Sequence, residues 1–143
     1  MLIATDYVER LLHTLQLALS KLEALPEGSL EHDIYRHAVI KEFELALETC
    51  GKLCRKALKA YSGSPKEIDS LTYNDVFRRC TKHGLLEPAL VQRWMTYRLN
   101  RNNTAHDYGL AFVKETLTLL PNFMVDVQAI VAMLNQHFGA SDA

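Results

Sequence analysis

Apolar residues recur along this chain at helical spacing almost from end to end. Val8, Leu11, Leu15, Ala18, Leu22 and Leu25 follow in steps of three and four, which places them on one face of a helix. A first helix is predicted from Asp6 to Leu25, with Asp6 and Glu9 at capping-box spacing and Pro26-Glu27-Gly28-Ser29 as the turn that ends it. A second, long helix is predicted from Leu30 to Tyr61. Its seam is Val39, Phe43, Ala46, Cys50, Leu53, Ala57 and Ala60, widened by Ile40, Leu47, Cys54 and Tyr61, broad enough to face two neighbours. Ser62-Gly63-Ser64-Pro65 interrupts it, and Ser64, Pro65 and Glu67 read as N-cap, N1 and N3 of a short helical turn.

The same reading continues to the C-terminus. A helix from Asn74 to His83 stops at Gly84, a plausible C′ glycine. Pro88 opens another, with Trp94, Met95 and Leu99 expected inward. Helix resumes over Leu110 to Leu120 and Asn122 to His137, with Pro121 as a kink or a new first position. The last stripe is Leu120, Phe123, Val127, Ile130 and Leu134. No stretch alternates with the two-residue period of a strand. The expected class is all-α, an antiparallel four-helix bundle with an additional short helix, in one domain spanning 1–143.

Length and composition agree. A chain of 143 residues with 48% apolar content buries roughly two-thirds of its unfolded surface and needs no covalent staples. The net charge of −1 does not announce a nucleic-acid binder, but the charges are segregated. Between Glu23 and Glu48 acids predominate, and Arg36 and Lys41 are the only bases; between Arg78 and Arg101 six bases face Glu87 alone. Cys50, Cys54 and Cys80 are odd in number and form no disulfide pattern, so a reducing, cytoplasmic setting is expected. Neither a signal peptide nor a membrane span is expected.

Several residues invite a chemical reading and lose it on inspection. Cys50 and Cys54 are four apart on a helix, but two thiolates do not make a structural zinc site, and both lie on the apolar face. His32 and His37, five apart, splay on a helix; His32 with Arg36 and Asp33 with His37 make ordinary i,i+4 pairs. Gly63-Ser64 lacks the paired acids on a strand that a nucleotidyltransferase site requires. Asn102-Asn103-Thr104 is formally a glycosylation sequon, without a secretory context.

The stretch RNNTAHDYG, residues 101–109, is different. Asn, Asn and Thr are poor helix formers, and Arg, His and Tyr are crowded beside them. In an ideal helix Arg101 and His106 would lie about 140° apart. They converge only if the helix is distorted, or if a second chain supplies one of them. A helix terminus whose Arg and His face the last carbonyls is the purely structural alternative.

Arg101-Asn102, three residues, His106, one residue, Tyr108 resembles the hallmark of the HEPN superfamily. The version with Tyr two positions after His is similar to the HEPN partner of minimal nucleotidyltransferases, also called nucleotidyltransferase substrate-binding proteins. Length, helical pattern and motif position agree over most of the chain. Lys82-His83-Gly84-Leu85-Leu86 is a weak second match, and the connection from Ile68 to Asn74 is longer than in close relatives.

The resemblance implies a metal-independent ribonuclease that needs no cofactor, works as a homodimer with two motifs facing, and is the toxin of a two-gene module. Its implied catalytic residues are Arg101, Asn102 and His106. Arg98 and Arg93, with Arg78 and Arg79 farther out, would bring in the RNA. Tyr108 would be the acceptor for AMP transferred by the nucleotidyltransferase antitoxin, which silences the nuclease. The alternative within the same family is a non-catalytic subunit that binds nucleotide or substrate for a separately encoded nucleotidyltransferase.

Overall fold

The computed structural model describes residues 1–104 and 110–139, with the side chains of 103, 104, 110 and 111 left aside. Its elements are α1 (Asp6–Ala24), α2 (Leu30–Leu58, prolonged by a 3-10 turn over Lys59–Tyr61), α3 (Pro65–Ser70), α4 (Tyr73–Lys82), α5 (Pro88–Thr104) and α6 (Leu110–Phe138). The described residues contain no strand, and the class is all-α. The four long helices α1, α2, α5 and α6 form the bundle. The short α3 packs on α2, and α4 bridges α2 and α5.

The helix starts are written in local chemistry. Ser29, Ser64 and Thr72 are N-caps whose hydroxyls accept from the backbone N–H of His32, Glu67 and Asp75. Each satisfies one of the donors that a helix start leaves open. At α1 the cap falls one residue earlier than expected. Thr5 is the N-cap, and its hydroxyl lies 3.0 Å from a Glu9 carboxylate oxygen and 3.1 Å from Oδ1 of Asn135. Ile3, buried, donates its N–H to the Phe138 carbonyl at 3.0 Å, which ties the chain's start to the end of α6. Gly84, with φ +74°, ends α4 as expected.

The apolar stripes meet in one core. Phe43 of α2 meets Phe123 of α6 edge-on at 4.8 Å between centroids. Trp94 of α5 is stacked between Phe77 of α4 at 5.2 Å and Phe123 at 5.5 Å. Burial of a side chain of this kind stabilises by roughly 1.5–3 kcal/mol.

Three details depart from the sequence reading. First, α6 runs through Pro121 without a break. Proline in a helix interior costs about 3 kcal/mol, and the fully buried Leu120, Phe123, Val127 and Ile130 around it offset that cost. Second, α6 is, over Phe112–Phe138, long and apolar enough by length and composition to cross a membrane, with a mean hydropathy of 1.6. Its stripe is instead the bundle core, and it carries a buried aspartate, Asp126. Third, Leu99 points outward, 61% exposed, while Asn100 is buried. The inward face of α5 runs Leu90, Val91, Trp94, Tyr97, Asn100, a phase set by polar partners on α6.

Candidate active site

The helix that carries the motif, α5, is fixed to α6 by two polar pairs. Arg93 donates from Nε and Nη2 to the two carboxylate oxygens of Asp126 at 2.9 and 2.8 Å, a forked, charge-assisted pair. Tyr97 donates its hydroxyl to the same carboxylate at 2.6 Å. The bond to Asp126 pushes the Arg93 pKa up, and burial, followed by Asp126, does the same to the Tyr97 phenol. Both groups hold their protons tightly and are not poised for acid–base work. One turn on, Asn100 donates to Thr116 Oγ1 at 2.9 Å, and Thr116 donates to the Phe112 carbonyl at 3.1 Å. Oδ1 of Asn100 is buried with no hydrogen-bond partner among the described residues.

On its other side α5 is held by an aromatic clamp. The Arg98 guanidinium lies over the Tyr73 ring, 4.2 Å from the centroid, a cation–π contact. Tyr73 accepts from Trp94 Nε1 at 3.0 Å and donates to the Leu47 carbonyl at 2.7 Å. Burial raises the Tyr73 pKa strongly, so the phenol stays neutral.

The last turn of α5 presents Arg101, half-buried, and Asn102, exposed. With Arg98 they occupy positions i, i+3 and i+4, one helix face. His106 and Tyr108 lie outside the described residues. Arg93, expected along the RNA approach, has its charge taken up by Asp126 instead. Arg78 and Arg79 pair with Asp75 at 2.9 Å and Glu67 at 3.1 Å, and with Lys82 they line a shallow cleft of about 290 Å³.

The discarded candidates are also placed. Cys50, Cys54 and Cys80 are free and buried. Burial pushes the Cys50 thiol up to about 12; the hydrogen bond with Cys80 and then burial raise Cys54. Protonated, enclosed thiols are poor metal ligands. Arg36 pairs with Asp33 at 3.4 Å rather than with His32. Ser64, the residue after Gly63, is the N-cap of α3.

Sequence reasoning missed Tyr73, Tyr97, Asn100, Thr116 and Asp126. Asp126 did leave a signal: it is the single acid between Phe123 and Ile130, inside an apolar stripe, where an unpaired charge is not tolerated. Nothing in the spacing named Arg93 as its partner.

Comparison with known proteins decides the family. The family model described as nucleotidyltransferase substrate binding protein like matches residues 10–136. This chain belongs to that family. It is similar to a probable ribonuclease HepT of Haemophilus influenzae, 22% identical over 110 residues, which cover 77% of this chain and 74% of the relative. Two solved structures share its fold. One, also from Haemophilus influenzae, is described as the substrate binding domain of a nucleotidyltransferase; it superposes with a TM-score of 0.80 at 19% identity, over 93% of this chain and 100% of the other. The second is a tri-AMPylated HEPN toxin of Shewanella oneidensis in complex with its MNT antitoxin, with a TM-score of 0.66 at 12% identity, over 94% of this chain and 100% of the other. The resemblance drawn from residues 101–108 and the family match agree.

Proposed function

We propose that this chain is the HEPN toxin-like ribonuclease of a two-protein module whose other member is a minimal nucleotidyltransferase. The observation that carries the reading is the last turn of α5. There Arg101 and Asn102 are presented on a helix clamped from both sides, immediately before His106 and Tyr108 in the chain. The likeness to a probable ribonuclease and to a toxin solved with its antitoxin supports it.

The chemistry suits these side chains. The RNA 2′-hydroxyl attacks the neighbouring phosphorus, the 5′-oxygen leaves, and a cyclic phosphate and a 5′-hydroxyl result. A proton must leave the nucleophile and another must reach the leaving oxygen. An imidazole, with an ordinary pKa of about 6.5, serves either role, and this is the part of His106. The Arg101 guanidinium stabilises the charge on the non-bridging oxygens, and Asn102 orients the phosphate. Arg98, one face of its guanidinium covered by the Tyr73 ring, still directs positive charge to the same turn. No step calls for a metal ion. Two chains facing each other would bring one Arg101 to the other's His106 and remove the angular mismatch. AMP on Tyr108 would place a bulky anion between Arg101 and the substrate.

Incubation of the purified chain with a single-stranded RNA and the matching DNA in EDTA tests this. RNA should be cut and DNA left intact.

A second reading is favoured by the family description and by the Haemophilus structure described as a substrate binding domain. In it the same residues hold a nucleotide or substrate for the partner enzyme without cleavage. Stable co-purification with a nucleotidyltransferase, together with intact RNA at every concentration of the free chain, would decide for it.

A further inference from the structure

Leu90, Trp94, Tyr97 and Arg101 follow one another along α5 in steps of four, three and four. The first three are buried in the core. Helical spacing therefore puts Arg101 on the same core-facing stripe, and its half-buried side chain with a buried Nε agrees. The aim of the motif arginine is set by the rotation of α5 about its own axis. At about 100° per residue, Asn100 lies about 100° to one side of Arg101 and Arg98 about 60° to the other.

The turn that carries Arg101 is ill suited to hold this rotation alone. It is the last of α5, which ends at Thr104, and Asn100, Asn102, Asn103 and Thr104 are poor helix formers. Apolar burial works against it as well. Leu99 stands in solvent while Asn100 is enclosed, its Oδ1 unpaired among the described residues. What holds the turn are the two residues flanking Arg101. Arg98 is seated on Tyr73. Asn100 donates from Nδ2 to Thr116 Oγ1, whose own proton is committed to the Phe112 carbonyl. The chain of bonds thus has one direction, and position 100 must supply a donor. Thr116 is fully buried on α6 and out of reach of any substrate.

We propose that Asn100 and Thr116 are positioning residues, whose bond fixes the rotation at which the last turn of α5 presents Arg101. The orientation is independent of the use made of it; only its effect on turnover rests on the nuclease reading.

Three variants separate the bond from its surroundings. Thr116→Val keeps the volume and removes the acceptor. Asn100→Ala cuts the tie and leaves Thr116 bonded to Phe112. Thr116→Ser keeps the hydroxyl. In the ¹⁵N-labelled full chain, the Arg101 Nε–Hε signal is assigned by its disappearance in Arg101→Lys, and its exchange with water is followed by NMR. Thr116→Val and Asn100→Ala should speed that exchange about tenfold, the worth of one hydrogen bond. Thr116→Ser should match the unmodified chain. With RNA, the first two should lower kcat about ten- to a hundredfold and leave KM unchanged, and Thr116→Ser should restore kcat. Val8→Ala, a core cavity at the end of the bundle where the chain starts, should lower the melting temperature and spare kcat.

Unchanged exchange at Arg101 in both Thr116→Val and Asn100→Ala would overturn the proposal, whether or not RNA is cut. Faster exchange with kcat preserved, or a kcat loss shared by Val8→Ala, would overturn it too. Failure of the unmodified chain to cut RNA would overturn the nuclease reading, and the Arg101 signal alone would then decide the positioning.

Discussion

Arg98 and Tyr73 form a stacked pair, guanidinium over ring at 4.2 Å, and the pair depends on a glycine two helices away. A Cβ built on Gly51 of α2 would collide with the Tyr73 ring. The absence of a side chain there lets the ring lie against α2, within reach of the Leu47 carbonyl. Gly51→Ala must displace the ring, and with it Arg98 and the Trp94 hydrogen bond. Overpacking of this kind costs about 1–3 kcal/mol. Urea denaturation should show that loss, and RNA cleavage should fall because Arg98 is no longer held at the motif turn. An unchanged midpoint would mean the ring is not confined as described.

Tyr97→Phe should be costly for its size. It removes one hydroxyl, but that hydroxyl bonds the buried Asp126 carboxylate at 2.6 Å. Hydrogen bonds to charged groups contribute about 1.5–3 kcal/mol. A double-mutant cycle with Asp126→Asn should show strong coupling. Additive effects would contradict a shared network.

Stability should decline in alkali. The Cys50 thiol is raised from 9.0 to about 12 by burial, and Cys54 and Tyr73 are raised as well. A raised acid binds its proton more tightly folded than unfolded, so its contribution is complete below pH 9. It is lost as pH climbs from 9 toward 12. Denaturation midpoints across that range should fall, and less steeply in Cys50→Ala. A flat profile above pH 9 would contradict the burial of these groups.

Tyr108 should gain mass in whole AMP units when the chain is incubated with ATP and its cognate nucleotidyltransferase. Tyr108→Phe should abolish the gain and keep the nuclease active in the partner's presence. Modification at another tyrosine instead would remove Tyr108 from regulation.

The long helices were legible because Leu15, Phe43, Val127 and their neighbours obey one period, and burial follows period. The cap at Ser64 was legible because Ser, Pro and Glu fall at N-cap, N1 and N3, whereas Ser29 read only as part of a turn and its capping bond to His32 came from the structure. What stayed hidden was non-local. Asn100 turns inward only because Thr116 waits for it, and this rotates Leu99 out to solvent. Pro121 stays inside a helix only because the residues around it are buried. At the candidate site, Arg101 and Asn102 were singled out by the resemblance of their pattern with His106 and Tyr108 to the family motif. The neutralisation of Arg93 by Asp126, 33 residues on, and the seat of Arg98 on Tyr73 depend on which helices meet.

The central claim is that Arg101 and His106 together cleave RNA without a metal. Its most direct test is the single-turnover rate on one RNA in EDTA, measured for the unmodified chain, Arg101→Ala and His106→Ala, each with its helical circular dichroism and melting temperature checked. The account predicts that His106→Ala lowers the rate by about 10²–10⁴-fold and that Arg101→Ala lowers it comparably, with folding intact. Undiminished cleavage by either folded variant would contradict it.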